Sequence, residues 1–163
     1  MNLLPFSLLD RNRTVPEPKI MKVIILLATL TTALAAHVAY KDCGSVDAKI
    51  NYVDINTCSS FPCHLPRNQN VSVVVNFTAN KGITSATNKV YGIIAGLRIP
   101  FPVQPDACQD MTCSITSGQT VSYTNSIHVL PSYPTIRLVV EWEILDGSGQ
   151  KIFCFQVPAQ ITN

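Results

Sequence analysis

The chain has little charge, and it lacks most of the residues and patterns that catalysis depends on. Only 13% of its 163 residues are charged, three are histidine and one is tryptophan. No Gly-x-Ser-x-Gly turn accompanies His37, His64 and His128, so a hydrolase triad has no support. There is no glycine-rich phosphate loop and no basic stripe of the kind nucleic acid requires. Glu141 and Glu143 are a same-face pair of the sort a glycosidase uses. They flank Trp142 on an alternating segment, however, and are expected to face water. Local cysteine spacings are Cys-x4-Cys, whereas zinc sites use Cys-x2-Cys, and oxidised cysteines cannot be ligands. The residues therefore point away from an enzyme, a metal site or a cofactor.

A membrane-spanning run is also missing. The apolar stretch from Val23 to Ala36 is shorter than the ~20 residues a bilayer crossing needs. Lys22 before it and Ala33-Leu34-Ala35 or Leu34-Ala35-Ala36 at its end make residues 21–36 read as a secretory signal peptide. Residues 1–20 precede a Met that already starts this signal, and they are read as an N-terminal extension outside the mature protein. Residues 37–163 form the expected domain, long enough for one core. Taking away residues 1–36 removes four of the twelve Lys and Arg and two of the ten Asp and Glu, so the remainder is formally neutral.

What the domain does have is cysteine. Cys43, Cys58, Cys63, Cys108, Cys113 and Cys154 all follow the leader, an even number that indicates a disulfide framework and an extracellular or lumenal setting. Six cysteines allow 15 pairings. Two local pairs inside an end-to-end clasp are the simplest arrangement.

The domain reads as all-β. Val71 to Ala79 alternates, with Val71, Val73, Val75, Phe77 and Ala79 on one face and Ser72, Val74, Asn76 and Thr78 on the other. Asn76-Phe77-Thr78 is a glycosylation sequon whose Asn falls on the second face, and Asn70-Val71-Ser72 is another at the strand entrance. Leu138 to Leu145 alternates as well, aiming Leu138, Val140, Trp142 and Ile144 inward. Further strands are predicted at 48–55, 89–96, 120–125, 127–130 and 152–157. Breaks such as Asn80-Lys81-Gly82 and Asp146-Gly147-Ser148-Gly149 carry turn chemistry. Roughly seven short strands without a helical period describe a β-sandwich.

Two loops stand apart. Ile99-Pro100-Phe101-Pro102-Val103-Gln104-Pro105 and Pro131-Ser132-Tyr133-Pro134 each set an aromatic on a proline-stiffened segment. Phe101 and Tyr133 are expected either to anchor these loops in the core or to rim an opening between the sheets.

Three ordered motifs carry a family resemblance. They are Lys41-Asp42-Cys43-Gly44-Ser45-Val46-Asp47; Ile99-Pro100-Phe101-Pro102 leading to Pro105-Asp106-Ala107-Cys108; and Tyr133-Pro134-Thr135-Ile136 running into Leu138-Val139-Val140-Glu141-Trp142. With all six cysteines they resemble the ML (lipid-recognition) family, in particular its secreted sterol-transfer members, over residues 40–161. The chain looks like an arthropod-type member. The resemblance implies an immunoglobulin-like β-sandwich of two antiparallel sheets around an apolar cavity. It implies three disulfides, Cys43 with Cys154, Cys58 with Cys63 and Cys108 with Cys113. It further implies that Phe101 guards the pocket mouth and that Ile55, Val129, Tyr133, Pro134, Trp142 and Phe155 line the pocket. His128 and Phe155 depart from the family pattern at their positions.

The function expected from this is a secreted, monomeric carrier of a sterol or fatty-acid-like lipid, with a membrane or receptor as its hand-over partner. The extracellular space is the expected location, with the lysosomal or endosomal lumen as the alternative. A lipid-recognition module in innate immunity or chemical signalling, presenting its ligand to a receptor, is the second expectation. His128 is expected as a plain surface histidine; only at the pocket edge would it add acid sensitivity.

Overall fold

The computed structural model describes residues 37–163, so the readings of residues 1–20 and 21–36 lie outside the described residues. The described strands are β1 (Lys41–Asp42), β2 (Ala48–Ile55), β3 (Cys63–Pro66), β4 (Gln69–Ala79), β5 (Ala86–Ile94), β6 (Leu97–Phe101), β7 (Thr120–Val129), β8 (Arg137–Asp146) and β9 (Lys151–Thr162). A 3-10 turn, Ala107–Gln109, precedes β7.

β-Branched residues at every second position build these strands, because they pack well on a pleated, half-buried surface. In β4, Val71, Val73, Val75, Phe77 and Ala79 are buried while Ser72, Val74, Asn76 and Thr78 are half-exposed. Asn70 is exposed at the entrance, so both sequon asparagines sit on the outer face. The strands form a six-stranded sheet, β1-β9-β8-β5-β6 with β3 beside β9, and a three-stranded sheet, β2-β4-β7. All pairings are antiparallel except β3 with β9. Pro158 falls on β9 between the segments that pair with β1 and β3, where β9 is locally an edge and tolerates a proline.

The inner faces meet in one core whose largest fully buried members include Trp142, Tyr123, Phe77, Phe153 and Phe155. Trp142 and Phe155 are cross-strand partners and stack, ring centroids 6.4 Å apart. All three disulfides have the expected partners.

Four expectations change. The segment around Phe101 is half strand: Leu97–Phe101 pairs with β5 through a two-residue turn at Ala95 (φ 50°) and Gly96 (φ 83°). Pro100 is tolerated there because β6 is the sheet edge. Residues 120–129 make one strand, as the hydrogen-bonded ladder to β4 runs unbroken through Ser126. Nine strands are found among the described residues, because the two-residue β1 and the four-residue β3 are too short to show a period. Finally, Glu141 and Glu143 do not face water, being only 6% and 5% exposed. Arg98 reaches across the Tyr91 ring to both carboxylates, Lys151 lies 2.9 Å from Glu143, and Gln156 donates to Glu141. Cationic side chains cover these carboxylates in place of solvent.

Candidate functional site

The inner face of the six-stranded sheet is apolar along its length. Going down β8, Leu138, Val140 and Trp142 point inward, their β9 partners are Ala159, Val157 and Phe155, and Ile161 extends the β9 row past Ala159. At a rise of about 3.4 Å per residue, this lane is roughly 14 Å long from Leu138 to Trp142.

The shallow end of the lane opens into a cavity of about 210 Å³. Gly92 and Ile94 of β5, Ile99, Pro100 and Phe101 of β6, Leu138, Ile161, and Tyr133, Pro134 and Ile136 of the β7–β8 connection line it. Phe101 and Tyr133 meet edge to face with centroids 5.5 Å apart. Gly92 is required by close approach: a Cβ there would lie 2.9 Å from both the Phe101 ring and Leu138 Cδ1. The rim is greasy, with Leu97 69% and Ile99 48% exposed. At the deep end a space of only about 10 Å³ remains, lined by Ile55, Val71, Val73, Ile127, Val140 and Trp142 among others. The apolar cavity is thus present, with its volume concentrated at the mouth. Close packing of aliphatic walls fills the rest.

The expected pocket residues fall into three groups. Phe101, Tyr133 and Pro134 come together around the mouth. Ile55 and Trp142 line the deep end. Val129 and Phe155 are fully buried in the surrounding core and line neither space. His128 does not reach the pocket. It is exposed on the outer face of β7, where its Nδ1 lies 2.9 Å from Asn70 Oδ1. The period-2 pattern of β7 places it outward, because Ile127 and Val129 take the inner positions. Cys43–Cys154 ties the chain after β1 to β9, and the other two close short loops.

Sequence reasoning missed Gly92, whose role appears only when β5 and β6 are paired. It also missed Tyr123, a fully buried tyrosine whose hydroxyl accepts from Trp142 Nε1 at 3.0 Å and donates to Asn88 Oδ1 at 2.7 Å. Burial holds this phenol well above its ordinary pKa, so it stays protonated.

A two-sheet sandwich with a three-disulfide frame and an apolar cavity at one end defines the class, and a family model confirms it: the ML domain matches residues 37–161, and the chain belongs to that family. Relatives include NPC intracellular cholesterol transporter 2 of Mus musculus, 38% identical over 142 residues that cover 86% of this chain and 95% of the relative. NPC intracellular cholesterol transporter 2 homolog a of Drosophila melanogaster is 32% identical over 146 residues, covering 86% and 99%. Among solved structures, a Niemann-Pick type C2 protein from the Japanese carpenter ant superimposes with a TM-score of 0.72 at 25% identity, covering 77% of this chain and all of that one.

Proposed function

We propose that the protein is a secreted lipid carrier that takes a sterol or another hydrophobic lipid into the space between its sheets and gives it up to a membrane or receptor. The observation that carries this reading is the unbroken apolar lane from the rim at Phe101 and Tyr133 to Trp142. The relatives in mouse and fly named as cholesterol transporters support it.

The physics suits pick-up and release. At about 0.3 kcal/mol per heavy atom, a lipid of ~28 heavy atoms gains about 8 kcal/mol, which corresponds to micromolar affinity. Spaces of about 210 and 10 Å³ fall below the ~300–1,000 Å³ typical of ligand pockets. Loading therefore includes movement of the mouth loops and some separation of the sheets. Cys58–Cys63 fastens the chain leaving β2 of one sheet to β3 of the other and limits that separation at one place. Glycans on Asn76 and Asn70 would lie on the outer face of the three-stranded sheet, clear of the mouth.

Native mass spectrometry of the protein secreted from eukaryotic cells, before and after exposure to a lipid mixture, tests the reading. A retained lipid and its transfer to acceptor vesicles support it. Failure to retain any lipid of the mixture defeats it.

A further inference from the structure

One wall of the mouth is thinly held by its own backbone. β6 pairs with β5 over the five residues Leu97–Phe101, and no other described strand lies beside it. Pro100 has no N–H to give to that ladder. Yet Ile99, Pro100 and Phe101 of this strand line the cavity, and Leu97 and Ile99 form its exposed rim.

Arg98 lies between the two rim residues, and strand alternation puts its side chain on the outer face of the sheet. From there the side chain crosses β5, with Cζ 3.9 Å from the Tyr91 ring centroid, and ends on β8. Its Nη2 lies 3.0 Å from Glu143 Oε1 and also pairs with Glu141. One side chain thus bridges three strands. The carboxylates belong to β8, which is paired on both sides, with β5 and with β9, so that end of the bridge is fixed. Displacing β6 against β8 spoils this arrangement in either direction. Peeling β6 off β5 stretches the ion pairs, and bending it outward presses the guanidinium onto the Tyr91 ring. Both carboxylates are nearly buried, so taking a cation from them is costly.

We propose that Arg98 is a positioning residue for lipid passage: clamped on Glu141 and Glu143, it holds β6 in place at the mouth and limits how fast lipid enters and leaves. It acts through Ile99 and Phe101, which face the cavity while Arg98 faces away from it. This inference rests on the lipid-carrier reading and names the strand whose movement limits loading.

The test times the transfer of dehydroergosterol and of cis-parinaric acid into the protein, and out of it to phosphatidylcholine vesicles. Energy transfer from Trp142, the only tryptophan and a residue of the deep end, reports occupancy. Vesicles without net charge keep surface attraction for arginine out of the rates. Arg98→Met keeps an apolar stem against Tyr91 and releases the carboxylates. Uptake and release should both quicken about three- to tenfold for whichever lipid wild type binds. Both directions cross the same barrier, so equilibrium affinity should stay within about threefold. Arg98→Lys, a point charge in place of the fork, should fall between. Lys151→Met removes a cation from the same Glu143 but lies on β9, away from the mouth. It should leave both rates within about twofold of wild type, whatever it does to stability. Glu141→Gln combined with Glu143→Gln should quicken exchange as Arg98→Met does, and adding Arg98→Met to that pair should bring no further gain. The paired glutamine change also carries the test if Arg98→Met does not fold. Unchanged rates in the folded variants, or equal acceleration by Lys151→Met, overturns the inference. Failure of wild type to take up either lipid defeats the carrier reading and this inference with it.

Discussion

Phe101 and Tyr133 pack edge to face, ring planes 87° apart, from two segments separated by the whole of β7, and together they border the mouth cavity. Each is only half-buried, so the pair contributes more to the shape of the opening than to the core. Phe101→Ala is expected to weaken binding of the preferred lipid by about tenfold, since an aromatic contact of this kind contributes about 1 kcal/mol beyond its buried area. The thermal midpoint should move little. Isothermal titration with the lipid in detergent, beside a melting curve, separates the two effects; unchanged affinity for every lipid that wild type binds removes the gate.

Gly92→Ala is expected to reduce lipid affinity without touching a lipid-contacting side chain. The new methyl would meet the Phe101 ring and Leu138 at 2.9 Å, so the ring must shift into the cavity or out of the rim. Overpacking of this kind costs about 1–3 kcal/mol. Restored affinity in a Gly92→Ala, Leu138→Val double variant would locate the clash, and it is read in the same titration.

Arg98→Ala should destabilise the fold by about 1–3 kcal/mol, because it leaves two buried carboxylates with fewer partners. Lys151 and Gln156 retain part of the compensation for Glu143 and Glu141. Combining it with Glu141→Gln should therefore cost less than the sum of the two single changes. Urea unfolding of the four proteins in the cycle measures this; strict additivity would show that the cluster is not coupled.

Acid should weaken the β8–β9 turn. Hydrogen bonds from Ser148, the Lys81 ammonium and the Gln150 amide hold the Asp146 carboxyl well below the usual carboxylate range. A pKa depressed by folding contributes stability that is fully present above the unfolded value of about 3.9 and is lost as pH falls below it. Asp146→Asn should lower the urea midpoint at pH 7 and flatten its decline between pH 5 and pH 2.5. A variant whose curve runs parallel to wild type across that interval would exclude this linkage.

The end-to-end disulfide should matter most. In the chain-entropy model the 111-residue separation of Cys43 and Cys154 is worth about 4.8 kcal/mol, and the five-residue separation of Cys58 and Cys63 about 2.2. Paired Cys→Ala variants, unfolded in urea, should rank in that order.

Much of the fold was legible because burial alternates strictly along the long strands. β4 and β8 declared their inner faces through Val71, Val73, Val75 and Phe77 and through Leu138, Val140 and Trp142. The half of the site at the mouth was legible for a different reason, since prolines marked the loops that carry Phe101 and Tyr133. Glu141 and Glu143 were misread because alternation says which side of a sheet a residue takes, not what lies across that side. Arg98 comes from another strand, and no local pattern announces it. Val129 and Phe155 are inward as expected, but whether an inward residue lines a space depends on its neighbours across the sandwich.

The residues alone determined the all-β class, the cysteine frame and the aromatic loops, since these follow from period-2 burial, redox chemistry and proline stereochemistry, which act over a few residues. Only the tertiary structure decided where the open volume lies and which buried polar groups pair. Asn88, Asp110, Tyr123 and Trp142 come from three strands and a loop, and their hydrogen bonds exist only once β5, β7 and β8 have been brought together. Directional polar chemistry between distant segments depends on angles and distances that packing sets and sequence spacing does not encode.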